Sequence, residues 1–498
     1  MLDTQLTVRR NAPIGKISPR LYGHFAEHLA RCCYDGLWIG NQSTDIPHIG
    51  GFRTDVVKAL KAMPVPMLRW PGGCYADHYH WRDGIGEPGS RPKRLGMSCG
   101  LQVEDDNSLG THEFMALCQL LGAEPYLAGN MGSGSVQEMC DWMEYCNTAL
   151  STSLGQERVA NGSPQPFGVK LWGVGNENWG CGGNYDAESY AHEYRRYATM
   201  LRHVDPSAEL VACGQLDPWN QTFLQTNQRH LELIDHLSVH YYWLQSGTEL
   251  DFSEEQYYAL LAEAESTEDF VRRTADYVRE ALGSKTHKIG IALDEWGVWH
   301  PEARSWGPNN HLHRKPDTYE QAGTLRDALA VGIALEGFHH QCTVLSLANL
   351  AQIVNVLHAP VMTDGAAMWL TPSYYALQLH IPHIGANALP VEVVQGTAIP
   401  VGEVSFAAVS GTASEQAGGV AVTLINRHFD QPAAITLHVP GTSQATRAQL
   451  LTSDSPRAIN SAQFPDQVAL VPLTVGADGN GTWRVELPAH SMATIQLV

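Results

Sequence analysis

Hydrophobic positions along the first three quarters of the chain follow two alternating rhythms. Eight short apolar or β-branched runs recur between about residues 18 and 380: "RLYGHFAEH", "VPMLRWPGG", "AEPYLAGNMG", "VKLWGVGNEN", "AELVACGQL", "IDHLSVHYYW", "KIGIALDEW" and "CTVLSLANLAQ". Between them lie longer stretches whose apolar positions return every three or four residues, the period of an amphipathic helix. Examples are "GTHEFMALCQLLG", "SVQEMCDWMEYCNTAL", "DAESYAHEYRRYATMLRHV", "TEDFVRRTADYVREALG" and "TYEQAGTLRDALAVGIALEGF". Ser, Thr or Asp near the start of these stretches and Gly at some ends supply caps for free backbone groups. Strands separated by helices pair in parallel through right-handed crossovers, and eight of them close a barrel. An open doubly wound sheet uses the same alternation, but the first run carries no GxGxxG fingerprint or phosphate-binding loop. The expected fold is α/β, a (β/α)8 TIM barrel over residues 18–384.

After residue 385 the rhythm changes to alternating strand-like segments separated by turn residues, among them "VEVVQG", "GGVAVTLINR", "AAITLHVPG" and "GTWRVELPAHSMATIQLV". This pattern predicts a C-terminal antiparallel β-sandwich, jelly-roll-like, over 385–498. The opening "TQLTVRR" is also strand-like, so residues 1–17 are expected to supply a strand to that sandwich. Trp483 alternates as a residue packed inward, which favours a structural over a carbohydrate-binding sandwich.

Composition narrows the class. Of 498 residues, 44% are hydrophobic and 17% charged, which suits a compact globular enzyme. The balance of 32 basic against 52 acidic residues gives a formal charge of −20, which repels nucleic acid, anionic membranes and acidic polysaccharides. A neutral substrate fits better. The first residues lack a signal-peptide core and no run of about eighteen apolar residues is present, so a soluble, cytoplasmic protein is expected. The ten cysteines form no CxxC and no regular framework, and are expected to be mostly reduced thiols.

Candidate chemistry gathers at the C-terminal ends of the predicted barrel strands, where barrel enzymes build their sites. Glu27 follows strand one, Arg69 and Cys74 strand two, Asn130 strand three, and Asn176 and Glu177 strand four; His240 and Tyr242 end strand six, Asp294 and Glu295 strand seven, and Asn349 and Gln352 strand eight. Strands four and seven lie on opposite sides of the ring, so Glu177 and Glu295 face one another across its mouth. A facing pair is what glycosidic hydrolysis needs: one carboxyl protonates the departing oxygen while the other meets the oxocarbenium-like centre. Either glutamate alone is more simply a cap or an ion-pair partner; the pairing changes that balance. Tyr242 and Arg69 are placed to hold Glu295 ionised, which makes Glu295 the nucleophile and Glu177 the general acid/base. Trp70, Trp81, Trp179, Trp296, Trp299 and Trp306 are candidates for stacking on a sugar ring, although about half are expected simply to pack loops. His24 and His28, and His78 and His80, suggest metal ligands by number only, because neither HExxH nor a zinc spacing occurs. No metal is expected, and His240 is expected to orient a carboxylate or the sugar.

The blocks "GHFAEH", "RWPGGCYADHYHWRDGIG", "GTHEF", "WGVGNENWGCGG", "HYYW", "DEWGVW" and "ANLAQIVNVLHAP" resemble, in order, the signatures of the α-L-arabinofuranosidases of glycoside hydrolase family 51. The resemblance implies a retaining, exo-acting hydrolase that releases terminal α-L-arabinofuranosyl groups from arabinan, arabinoxylan or their oligosaccharides, without a cofactor. It assigns the glutamate of "GNEN", Glu177, as acid/base and that of "DEW", Glu295, as nucleophile. It implies sugar contacts from Glu27, Cys74, Asn176, Tyr242 and Gln352, with Arg69 and His240 supporting the carboxylates. It also implies a homo-oligomer, with hexamers common in the family. Two departures bear on specificity: relatives often carry Asn where this chain has Cys74, and "RLGMSCGLQVEDD" lacks a tryptophan that some relatives carry. Three rival readings remain at this level: the same carboxylates acting on β-xylosides or as an endo-glucanase, a metal-dependent barrel hydrolase, and a non-catalytic carbohydrate-binding protein.

Overall fold

The computed structural model describes residues 1–313 and 318–498. Eight parallel strands close a barrel: β1 (Gly23–Phe25), β2 (Met67–Trp70), β3 (Glu124–Gly129), β4 (Leu171–Val174), β5 (Glu209–Ala212), β6 (His236–Trp243), β7 (Gly290–Val298) and β8 (Leu345–Ala351). Each lies inside one of the eight apolar runs, except that β7 continues two residues beyond its run to Val298. Both faces of such a strand are covered, the outer by helices and the inner by barrel side chains, so the runs are continuously apolar rather than alternating. Met67, Tyr126, Leu171, Val211, Ala292 and Leu347 form a buried layer across the barrel interior, which is a packed floor and not a channel.

The helices follow the predicted stretches, with two differences. The stretch that contains "TEDFVRRTADYVREALG" is a longer helix, Glu254–Leu282, started by a Ser253–Gln256 capping box. The pattern from Thr318 starts as a helix only at Leu325, because Thr324 accepts from the Asp327 N–H and caps it there. The residues before it form bridges instead, Glu320 pairing with Val356 and Leu357. Helix Leu325–His340 is buried almost all round, wedged between barrel and sandwich. Gly332 permits that approach, since a Cβ there would lie 2.1 Å from Met492 Cε.

Of the remaining described strands, twelve form two larger sheets and the others pair in four two-stranded ribbons. One has five strands in the order Val391–Gln395, Leu2–Val8, Ala433–His438, Thr482–Leu487, Gly476–Gly479. The other has seven strands and includes Val409–Gln416, Gly419–Asn426, Ala445–Leu451 and Ser491–Leu497. Strand Leu2–Val8 runs parallel to Ala433–His438, an exception in an otherwise antiparallel pair of sheets. Parallel neighbours need a long crossover, and here the whole barrel is that crossover. Trp483 is buried, its indole N–H donating to Thr442 Oγ1 at 3.0 Å. Among the described residues no helix is long and apolar enough to cross a membrane.

Candidate active site

The stretch "GVGNENWGCGG" turns sharply off the end of β4. Gly175 takes φ +87°, and a Cβ there would lie 2.1 Å from Asn178 Oδ1; at Gly182 a Cβ would meet Asn176 O at 2.4 Å. Between them Glu177 adopts φ +40°, a left-handed conformation that non-glycine residues rarely take. The turn is fixed by the Gly180 N–H donating to Glu177 O at 2.7 Å and by Tyr185 N–H to Asn178 O at 2.7 Å. The glycines therefore let the chain double back and present the Glu177 side chain to the barrel mouth.

Glu295 is placed by an irregularity. The pairing of β7 shifts register against β6 between Ser238 and His240, and against β8 between Leu293 and Trp296. A bulge of this kind breaks strict alternation, and here both Asp294 and Glu295 turn inward. Asp294 accepts from Tyr126 Oη at 2.7 Å and Ser238 Oγ at 2.6 Å. Glu295 accepts from Arg69 Nη1 at 2.8 Å and Tyr242 Oη at 2.8 Å, so each of its oxygens has a donor. Arg69 also donates to Asn176 Oδ1 at 2.6 Å and is buried. That contact takes the Asn176 carbonyl oxygen and leaves its amide N–H groups for other acceptors.

His240 stands between the carboxylates, with Nδ1 2.8 Å from Glu177 Oε1 and 3.4 Å from Glu295 Oε2, and Nε2 3.3 Å from Asp294 Oδ1. Burial alone would lower its pKa, but the surrounding carboxylates outweigh burial and raise it to about 10. His240 is therefore an imidazolium that donates to Glu177 Oε1, leaving Oε2 to the open side. Asp294 is held down at about 2: its burial is outweighed by the Arg69 charge and the His240 contact. An oxygen of Glu177 and an oxygen of Glu295 lie within 4.8 Å of each other.

Asn176, Glu177, His240, Tyr242 and Glu295 line one cavity of about 720 Å³, whose wall also includes Glu27, Gln352, Trp179, Trp299 and Trp306. Glu27 is buried and accepts from Gly73 N–H, Tyr75 N–H, Ser98 Oγ and Gln352 Nε2 at 2.7–3.1 Å. Burial, reinforced by the Glu295 charge, still lifts its pKa to about 7. Gln352 Oε1 is buried and accepts no hydrogen bond among the described residues. Of the six tryptophans singled out in the sequence, Trp70, Trp81 and Trp296 are fully buried packing residues, while Trp179, Trp299 and Trp306 reach the cavity. Asn130 is also structural: its carbonyl oxygen caps the Ser133 and Gly134 N–H groups.

Cys74 requires a correction. It reaches the cavity, but its sulfur is bonded to Cys181 in a disulfide, so it carries no S–H to offer a sugar. The loops after β2 and β4 bring the two Cα atoms to 5.5 Å, within disulfide reach despite 107 residues of separation. The other eight cysteines are free thiols, seven of them buried.

Comparison with known proteins agrees with this geometry. The alpha-L-arabinofuranosidase 1 domain matches residues 59–259, and the alpha-L-arabinofuranosidase C-terminal domain matches 294–491. An intracellular exo-alpha-L-arabinofuranosidase of Bacteroides ovatus is 39% identical over 505 residues, 99% of this chain and 95% of its own. The crystal structure of the GH51 arabinofuranosidase from Xanthomonas axonopodis pv. citri superposes with a TM-score of 0.92 at 34% identity, covering 100% of both chains. The chain belongs to the family 51 α-L-arabinofuranosidases.

As a member of that family the protein is a glycoside hydrolase, an exo-acting arabinofuranosidase. Of the polar candidates singled out in the sequence, Glu27, Cys74, Asn176, Glu177, His240, Tyr242, Glu295 and Gln352 line the cavity and Arg69 lies directly behind it, whereas Asn130, Asp294 and Asn349 are buried away from its wall. Among the described residues two trios gather possible metal ligands, Glu177–His240–Glu295 and Cys74–Glu177–Cys181. His24, His28, His78 and His80 belong to neither; His80 pairs with Glu138 instead. Ser98 carries no motif that marks it in the sequence; it reaches Glu27 from the end of strand Arg94–Ser98, just before the turn to strand Leu101–Asp105. Cys181 is likewise unmarked there, although it stands in the same glycine-rich stretch as Glu177.

Proposed function

We propose that this arabinofuranosidase cleaves terminal α-L-arabinofuranosyl groups from arabinan, arabinoxylan and their oligosaccharides by double displacement with retention, Glu295 acting as nucleophile and Glu177 as acid/base. The observation that carries the reading is the carboxylate pair: oxygens within 4.8 Å, against about 5 Å for retaining and about 6.5–9.5 Å for inverting enzymes. The surroundings of the two groups support the division of roles. Glu295 has a donor on each oxygen, an arrangement that suits a carboxylate nucleophile aimed into the cavity. Glu177 is held at Oε1 by His240, and its Oε2 faces the side from which a leaving group departs.

In the first step Glu295 bonds to the anomeric carbon as the glycosidic C–O bond breaks, and Glu177 Oε2 delivers its proton to the departing oxygen. In the second, Glu177 takes a proton from water, the water oxygen bonds to the anomeric carbon, and Glu295 leaves as carboxylate. The furanose is held by Glu27, by the Asn176 amide N–H, by Tyr242 and by Gln352 Oε1, with Cys74 contributing an apolar disulfide wall. No cofactor enters the reaction. The intracellular names of the Bacteroides ovatus and Bifidobacterium longum relatives support a cytoplasmic location. Family resemblance supports a homo-oligomer.

The test is a set of aryl glycosides: 4-nitrophenyl α-L-arabinofuranoside beside the β-D-xyloside and β-D-glucoside. Arabinoside turnover that disappears in Glu295→Ala and returns with azide as an arabinosyl azide supports the reading. Activity on another glycoside alone overturns the substrate, and wild-type rates in both Glu295→Ala and Glu177→Ala overturn the site.

A further inference from the structure

The cavity holds a disulfide directly against the carboxyl group assigned as acid/base. Cys74 Sγ lies 4.0 Å and Cys181 Sγ 3.9 Å from Glu177 Oε2, the oxygen that His240 leaves free. Cys181 is exposed and Cys74 half-buried, so a small reductant can reach the bond from the cavity. In a reducing compartment an accessible disulfide of this kind does not persist.

We propose that, once this disulfide is reduced, Cys74, Cys181 and Glu177 form a binding site for a thiophilic divalent cation such as zinc, which shuts off hydrolysis. The inhibitory part of this proposal rests on Glu177 being the acid/base. Reduction by a dithiol breaks the S–S bond and gives two cysteine thiols, while the dithiol loses two hydrogens and becomes its own disulfide. Zinc then binds as the two thiols and the Glu177 carboxyl release their protons to solvent, forming two Zn–S bonds and one Zn–O bond to Glu177 Oε2.

The dimensions suit this chemistry. A tetrahedral zinc ion with Zn–S of about 2.3 Å and Zn–O of about 2.1 Å places sulfur about 3.6 Å from oxygen and the two sulfurs about 3.8 Å apart. The sulfur-to-oxygen distances already stand at 3.9 and 4.0 Å, so they need only a few tenths of an ångström. The sulfurs separate by side-chain rotation once their bond is broken. The fourth position faces the cavity and is open to water. The neighbouring trio Glu177–His240–Glu295 is a poorer competitor, because His240 already uses Nδ1 and Nε2 on carboxylates and both Glu295 oxygens already accept from Arg69 and Tyr242. A cation on Oε2 removes the atom that carries the catalytic proton and fills the space of the leaving group.

The experiment uses the full-length protein in three forms: as isolated with its disulfide intact, reduced with dithiothreitol and desalted without oxygen, and Cys181→Ser treated the same way. Each is given a small excess of zinc, desalted, and assayed for retained zinc per chain and for turnover of 4-nitrophenyl α-L-arabinofuranoside. Reduced wild type is expected to retain one zinc more per chain than either other form. It should lose at least about tenfold in rate, recovered with EDTA; the other two forms keep their own zinc-free rates. Equal zinc retention in the three forms, or equal inhibition of oxidised and reduced enzyme, overturns the site. Because retained zinc is counted without substrate, a protein that binds zinc as expected but never cleaves the arabinoside refutes only the functional assignment.

Discussion

Tyr242→Phe isolates one hydroxyl at the proposed nucleophile. The ring packs edge-on against Trp299 at 5.1 Å between centroids, a contact that phenylalanine preserves, and the hydroxyl donates to Glu295 Oε2 at 2.8 Å. A hydrogen bond to a charged group is worth about 1.5–3 kcal/mol. Its effect on rate depends on how the Glu295 charge changes in each step. During attack the carboxylate is being neutralised, so loss of the donor destabilises the resting anion more than the transition state. During release of arabinose the carboxylate is re-forming, and the missing donor costs about the full amount, or roughly 10–100-fold in rate. The second step then limits turnover and the arabinosyl-enzyme accumulates. In stopped-flow measurements with 4-nitrophenyl α-L-arabinofuranoside, Tyr242→Phe should show a burst of nitrophenol near one per site, a lower kcat and a lower KM. A kcat within twofold of wild type, or a large fall in kcat with no burst and an unchanged KM, would refute this reasoning.

Removing Arg69 should be far more damaging, because Arg69→Met takes the guanidinium from Glu295 and buried Asp294 and leaves His240 as the cation beside them; a loss of about 3–5 kcal/mol in stability is expected, read as a lower urea midpoint. Glu177→Ala should retain much of the rate on aryl arabinosides, whose leaving group needs little protonation, and lose about 10²–10⁴-fold on arabino-oligosaccharides. Buried His380 donates to Ala376 O at 2.7 Å through Nδ1, and its pKa is lowered by burial to about 4. It stays neutral in the fold, whereas the unfolded chain takes up a proton below about pH 6.5, so its contribution to stability is present above that pH and is lost as pH falls towards 4. Between pH 7.5 and 5.0 that contribution falls by about 2 kcal/mol, so His380→Phe should show a smaller acid-induced drop in Tm than wild type. Equal drops would contradict the assignment.

Some features were legible in the sequence because they depend on local pattern. The β1 to β8 runs are apolar on both faces, and polar residues collect where the chain leaves the barrel floor. Glu177 and Glu295 could be paired from strand count alone, and Tyr242 follows His240 on the same strand. Other features arise from contacts between distant segments. The bulge in β7 turns the consecutive Asp294 and Glu295 both inward, which simple alternation would not predict. The Cys74–Cys181 bond depends on how closely the loops after β2 and β4 approach, and no spacing rule encodes it. Tryptophans divide by the neighbours they meet: Trp296 faces outward onto Phe338 of helix Leu325–His340, whereas Trp299 faces the cavity. The parallel pairing of Leu2–Val8 with Ala433–His438 joins the two ends of the chain, beyond the reach of any local pattern.

The most direct test of the central claim follows the anomeric configuration of the first-formed sugar by proton NMR during hydrolysis of 4-nitrophenyl α-L-arabinofuranoside, before mutarotation. With Glu177 and Glu295 oxygens within 4.8 Å, no water fits between nucleophile and sugar, and α-L-arabinofuranose should appear first. Initial appearance of the β anomer would mean single displacement by water and would contradict Glu295 as nucleophile.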